Sequence, residues 1–146
     1  MNRIYSISII ILIGLASCNG LGAVDINIQT RNVEVSTKDI VGTWKMDKFS
    51  YKYLSNFKKD SIRICFKDDY TFEMNNSNKL FNREIDNERT MGTWQIVGQN
   101  DTKTVRLNFG KTNGQKTLDI YRKKNDYQLW NFLSDPDTGE RIRFLK

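Results

Sequence analysis

The sequence predicts an all-β domain, an eight-stranded antiparallel up-and-down barrel, and three observations carry that prediction. First, apolar residues recur with a period of two. Ile62, Ile64 and Phe66 alternate with Arg63, Cys65 and Lys67, Val105, Leu107 and Phe109 with Arg106 and Asn108, and Ile142 and Phe144 with Arg141 and Arg143. That period belongs to half-buried strands, whose successive side chains point to opposite faces. Second, turn formers punctuate the runs: Asn113-Gly114, Asn125-Asp126, and Asp135-Pro136-Asp137 followed by Gly139, residues that tolerate or pre-set tight-turn dihedrals. Third, no long amphipathic helix interrupts the series, so the strands follow one another and closing them into a barrel removes the exposed edges of an open sheet. A β-sandwich is the alternative architecture.

The N-terminus stands apart from this pattern. Arg3 provides a positive flank, Ile4 to Leu15 an apolar run, and Leu15-Ala16-Ser17-Cys18 small residues ahead of a cysteine. The run is shorter than the roughly 20 apolar residues that cross a bilayer and has the layout of an export signal. It resembles the lipobox of bacterial lipoproteins, which implies removal of residues 1–17 and acylation of Cys18, and hence membrane lipid as a partner through that residue. Residues 18–37 then read as acylated N-terminus and tether, and 38–146 as the barrel domain, a single-core unit in a remainder of about 130 residues. Val24, Ile26 and Ile28 alternate well enough to add an edge strand. After Cys18, Asn19-Gly20-Leu21-Gly22 shows no acidic cluster, which points to the periplasmic face of the outer membrane.

Turn signals divide the barrel into strands at about 40–49, 61–67, 70–75, 91–97, 104–109, 115–122, 126–133 and 140–145. The connections after the first and third strands are long, at 50–60 and 76–90, whereas those after the second, fourth and sixth are short. Odd connections share one end of an up-and-down barrel and even ones the other. One end is therefore expected to be tightly closed and the other to carry the long loops.

Composition limits the chemistry. The chain has no histidine, which removes Ser-His-Asp, Cys-His and His-ligated zinc sites, and it shows no convergent carboxylate pair, so no catalytic residue, metal or cofactor is assigned and the chain is read as a non-enzyme. Asp68-Asp69 reads as a turn. Asp135 to Glu140 departs from a calcium loop, with Gly139 where a side-chain ligand is wanted and Lys146 where the bidentate Glu belongs. Lys and Arg number 23 against 17 Asp and Glu. In an exported protein that excess suits solubility or contact with lipid phosphates or acidic glycans, and no nucleic-acid partner is expected. With Cys18 acylated, Cys65 has no intramolecular partner.

Within the barrel a second resemblance emerges. Gly42-Thr43-Trp44 opens the first strand as the Gly-x-Trp motif does in lipocalins, after Ser36-Thr37-Lys38-Asp39, which suits the short helical turn of their closed end. Asn125-Asp126-Tyr127 stands where that family often has Thr-Asp-Tyr, and Arg141 or Arg143 matches its arginine that packs over the motif tryptophan. A second copy, Gly92-Thr93-Trp94, looks more like the small lipocalin-like domains of bacterial lipoproteins, and the chain lacks the helix that usually follows the last strand.

The resemblance implies a small apolar or amphipathic ligand in the barrel mouth. Its walls would come from Phe72, Met74, Trp94, Leu107 and Trp130, and Tyr51, Tyr53 and Phe57 would form either a lid or an anchor for the first long loop. The alternative is a protein-binding accessory or inhibitor with a filled barrel. A barrel of eight strands allows both, and an apolar cavity above about 300 Å³ would favour the ligand.

Overall fold

The computed structural model describes residues 27–54, 62–76, 80, 89–99, 101–110 and 114–146. Nine strands form among the described residues: β1 (Ile28–Gln29), β2 (Gly42–Met46), β3 (Arg63–Phe66), β4 (Thr71–Asn75), β5 (Arg89–Gln99), β6 (Thr102–Asn108), β7 (Gln115–Lys123), β8 (Asp126–Phe132) and β9 (Arg141–Leu145). Each of β2 to β9 pairs antiparallel with its sequence neighbour, and β9 returns to β2 through Met46↔Phe144 and Lys45↔Leu145. The result is a closed eight-stranded barrel with β1 added against β7 at Ile28↔Lys123 and Gln29↔Arg122. The added strand forms at the end of the alternating run; Val24 and Ile26 lie outside the described residues.

Register sets what each face carries. Trp44 pairs with Ile64 and Ile64 with Met74, Phe66 with Phe72, Trp94 with Leu107, and Leu129 with both Ile120 and Phe144, and all of these side chains are buried in one continuous interior cluster. The intervening residues, such as Thr43, Arg63, Glu73 and Arg106, point outwards. A slip of one residue would exchange the two sets, which is why the apolar alternation specifies the pairing.

The two ends differ as expected. The closely spaced strand ends of β3–β4, β5–β6 and β7–β8 gather at one end, and the strand ends that bound the longer connections gather at the other. The N-terminal segment seals the short-turn end. Helix α1 (Thr37–Ile40) is braced at its start by Asp39, whose Oδ2 accepts from the Ser36 amide at 2.8 Å and hydroxyl at 2.7 Å. Those two bonds hold the Asp39 carboxyl below its usual range. A depressed carboxylate stabilises the fold above its ordinary pKa and loses that contribution as pH falls through the lowered value, so this brace weakens only in acid. Ile40 is fully buried and its carbonyl accepts from Trp44 Nε1 at 2.7 Å; Tyr127 donates its hydroxyl to the Glu34 carbonyl at 2.7 Å. Residues from Asn32 onwards, expected as tether, are thus folded against the barrel, with Val33 in the core.

The two Gly-x-Trp copies use glycine for different reasons. Gly42 has φ +127°, a conformation that side chains disfavour. At Gly92 the backbone is ordinary, but an added Cβ would stand 2.1 Å from the Asn108 carbonyl oxygen and 2.8 Å from the Phe72 ring. Replacing Gly92 by Ala is therefore expected to destabilise the barrel by about 1–3 kcal/mol through overpacking, measured by urea unfolding. A neutral change would mean that strands β5 and β6 separate here without cost.

Candidate functional site

The residues expected to line a ligand cavity instead build the core. Phe72, Met74 and Leu107 are fully buried and Trp94 nearly so. Phe66 meets Trp94 edge-on at 5.3 Å between ring centroids, and Phe72 meets Phe109 at 5.1 Å, the geometry favoured by aromatic quadrupoles. Trp94 Nε1 donates to the Lys67 carbonyl at 3.1 Å while the Tyr70 ring covers it. Both motif tryptophans therefore close the short-turn end, one against α1 and the other against the β3–β4 turn.

Tyr51 enters the core from the opposite end and accepts a hydrogen bond at its hydroxyl from the buried Ile62 amide, at 3.2 Å. It anchors the first long connection. Tyr51→Phe should cost about 1–3 kcal/mol, because the Ile62 N–H is left buried and unpaired; unchanged thermal unfolding would refute that role. Leu80, from the second long connection, also joins the interior cluster. Phe57 lies outside the described residues.

Trp130 requires a correction. It pairs with Asp119 and Arg143, one position out of phase with the inward Leu129, so it faces away from the barrel interior. It is nonetheless only 1% exposed, because an outer layer covers it. Tyr121 lies 4.3 Å away between ring centroids, the Arg141 guanidinium lies 4.4 Å over the indole, and Gln128 Oε1 accepts from Trp130 Nε1 at 2.9 Å. Arg141 also faces the Phe49 ring at 5.2 Å and donates to the Gly139 carbonyl at 2.9 Å. Arg143 stacks on Phe49 at 4.2 Å and is ion-paired with Asp47.

Neither arginine packs over Trp44, which faces the interior. The cation there is Lys146, whose Nζ lies 5.9 Å from the Trp44 ring centroid and donates to the Asp39 carbonyl at 3.0 Å. The arginines instead fasten the first connection to the outer wall. Ser50 completes that attachment, its Oγ donating to Asp47 Oδ1 at 2.6 Å and accepting from the Arg143 amide at 2.7 Å. Burial pushes the Tyr121 hydroxyl up to about 12, with the Asp119 charge adding to it, and burial also raises the Asp119 carboxyl.

A groove of about 660 Å³ runs across the outer wall of β2 to β5. Its lining includes Thr43, Arg63, Cys65, Glu73, Asn75 and Arg89, and pairing explains their meeting: Thr43 lies opposite Cys65, Cys65 opposite Glu73, and Asn75 opposite Arg89. Asn75 Oδ1 also accepts from the Arg63 amide at 2.9 Å. Glu73 is gripped from both sides, by Lys67 Nζ at 2.6 Å and by Arg89. Hydrogen bonds from Lys67 and then Arg89 lower its carboxyl pKa, and Glu73 in turn raises the Lys67 ammonium. Two cations therefore hold one anion along this wall, Arg63 lines the groove beside them, and the half-buried Cys65 thiol lies in its floor. Such a surface is polar and cationic, suited to hydrogen-bonding and acidic groups rather than to hydrocarbon.

Among protein families, curated proteins and solved structures, none significantly matches this chain.

Proposed function

We propose that the chain is a lipid-anchored protein of the bacterial envelope with a lipocalin-like barrel that serves as a scaffold, and that its outer wall binds a protein partner. The observation that carries this reading is the interior: Phe66, Phe72, Trp94, Leu107 and Phe109 pack on one another where a cargo would sit. An apolar ligand needs space that these side chains occupy, since affinity for such a molecule comes from burial in a preformed cavity. The outer groove supplies the binding chemistry. Arg63 and Arg89 present donors to an acidic segment of a partner, and Cys18 holds the barrel at the periplasmic face of the outer membrane.

Site-specific photo-crosslinking in the native host tests this. A crosslinker at Thr43, which lines the groove and is exposed, should capture one discrete protein, and Arg63→Glu should abolish the adduct. The same crosslinker at Thr117, exposed on β7, should capture none. Equal adducts at both positions, or adducts insensitive to Arg63→Glu, would exclude the groove as the docking site.

A further inference from the structure

The sealed end of the barrel carries the features of a membrane-facing surface, and the chain enters there. Strand β1 is held against Arg122 and Lys123 of the β7–β8 hairpin, and the Asn32 amide donates to the Asp101 carbonyl in the β5–β6 turn at 2.8 Å. Residues 19–27 alone separate Cys18 from β1, a contour of about 30 Å at most. A strand as long as β5, with 11 residues, rises about 25–30 Å along the axis of a barrel of usual strand tilt. Turning the loop end to the membrane would therefore consume nearly the whole tether. Leaving the sealed end at the membrane requires almost none of it.

Charge and exposed apolar surface agree with that placement. At the sealed end Lys124 forms the exposed tip of the hairpin beside Arg122 and Lys123, and Lys38 and Lys146 flank a groove of about 440 Å³ that also includes Asn125 and Leu145. Tyr70, 51% exposed, and Leu145, 37% exposed, stand at the same end, and tyrosine with lysine is the pairing found at membrane–water interfaces. Asp101 and Asp126 flank the hairpin, Asp39 shares the groove, and the exposed Asp68 and Asp69 precede Tyr70, so the end is mixed in charge and the attraction acts at contact range. The β8–β9 connection at the loop end, by contrast, carries Asp135, Asp137 and Glu140 in six residues.

Resting on the reading of Cys18 as the lipid anchor, we infer that the sealed end, through Lys38, Tyr70, Lys124 and Lys146, docks on anionic phospholipid headgroups of the anchoring membrane. The loop end and the groove then face away from the lipid, where a partner can reach them.

The test uses the full acylated chain with Cys65→Ser, labelled by a fluorophore at Asn125→Cys or at Asp135→Cys and reconstituted into phosphatidylcholine vesicles with or without phosphatidylglycerol. A headgroup nitroxide lipid is the quencher. The Asn125 label should be quenched severalfold more than the Asp135 label, more so with phosphatidylglycerol, and less with added salt, which screens exposed charges. Lys38→Glu with Lys124→Glu should remove that preference while fatty-acid labelling of Cys18 persists. Equal quenching of the two labels on an acylated, membrane-bound chain would overturn the docking and leave the anchor reading standing. A chain that takes up no fatty acid would overturn both.

Discussion

Trp44→Ala should lower the unfolding free energy by about 3–5 kcal/mol, the range for deleting a large buried aromatic. Trp44 is fully buried, its indole N–H holds the Ile40 carbonyl, and Lys146 lies over its outer face. Truncation removes the packing, the hydrogen bond that fixes α1, and the surface on which Lys146 rests. Domains of this size are stable by about 5–15 kcal/mol, so the variant should melt far lower or fail to accumulate. Urea unfolding measures the loss; a change within about 0.5 kcal/mol, as at surface positions, would show that α1 closes the barrel without this residue.

Cys18→Ala should release the protein from membranes and abolish fatty-acid incorporation. Multiple acyl chains give stable attachment where a single one is marginal, and no helix among the described residues is long and apolar enough to cross a membrane. Membrane fractionation with labelled palmitate reads both effects at once. Persistent labelling in the variant would place the lipid elsewhere and withdraw the anchor from the proposed function.

The strands were legible in the sequence because burial on one face writes itself as alternation. At Ile62 to Phe66, Val105 to Phe109 and Ile142 to Phe144 one parity is apolar and the other, Cys65 apart, polar or charged, so strand and facing follow together. The ends of the barrel were legible from connection length. What escaped was the facing of strand β8, where Gln128-Leu129-Trp130-Asn131-Phe132 is apolar on both parities. The sequence cannot say which of Leu129 and Trp130 faces the core; that is decided by pairing, Leu129 with Ile120 and Phe144, Trp130 with Asp119 and Arg143.

The outer layer of Phe49, Tyr121, Trp130 and Arg141 was missed for the same reason, since a second apolar cluster outside a barrel leaves no period of its own. The position of Lys146 over Trp44 was hidden too, because a cation one residue beyond the last strand carries no pattern. For the groove, Arg63, Glu73 and Arg89 read as ordinary exposed charges. Only the register brings Thr43, Cys65 and Glu73 into one row, with Arg63, Asn75 and Arg89 beside it.

Whether the barrel is a scaffold or a container is decided most directly by native mass spectrometry of the protein extracted from its own host's membranes. The packed interior predicts the mass of the processed, acylated chain alone or with a protein partner, and the same mass after addition of fatty acids, sterols or isoprenoids. A small apolar molecule retained in one-to-one ratio, and lost when Phe72 or Leu107 is enlarged, would contradict this account and make the barrel a carrier.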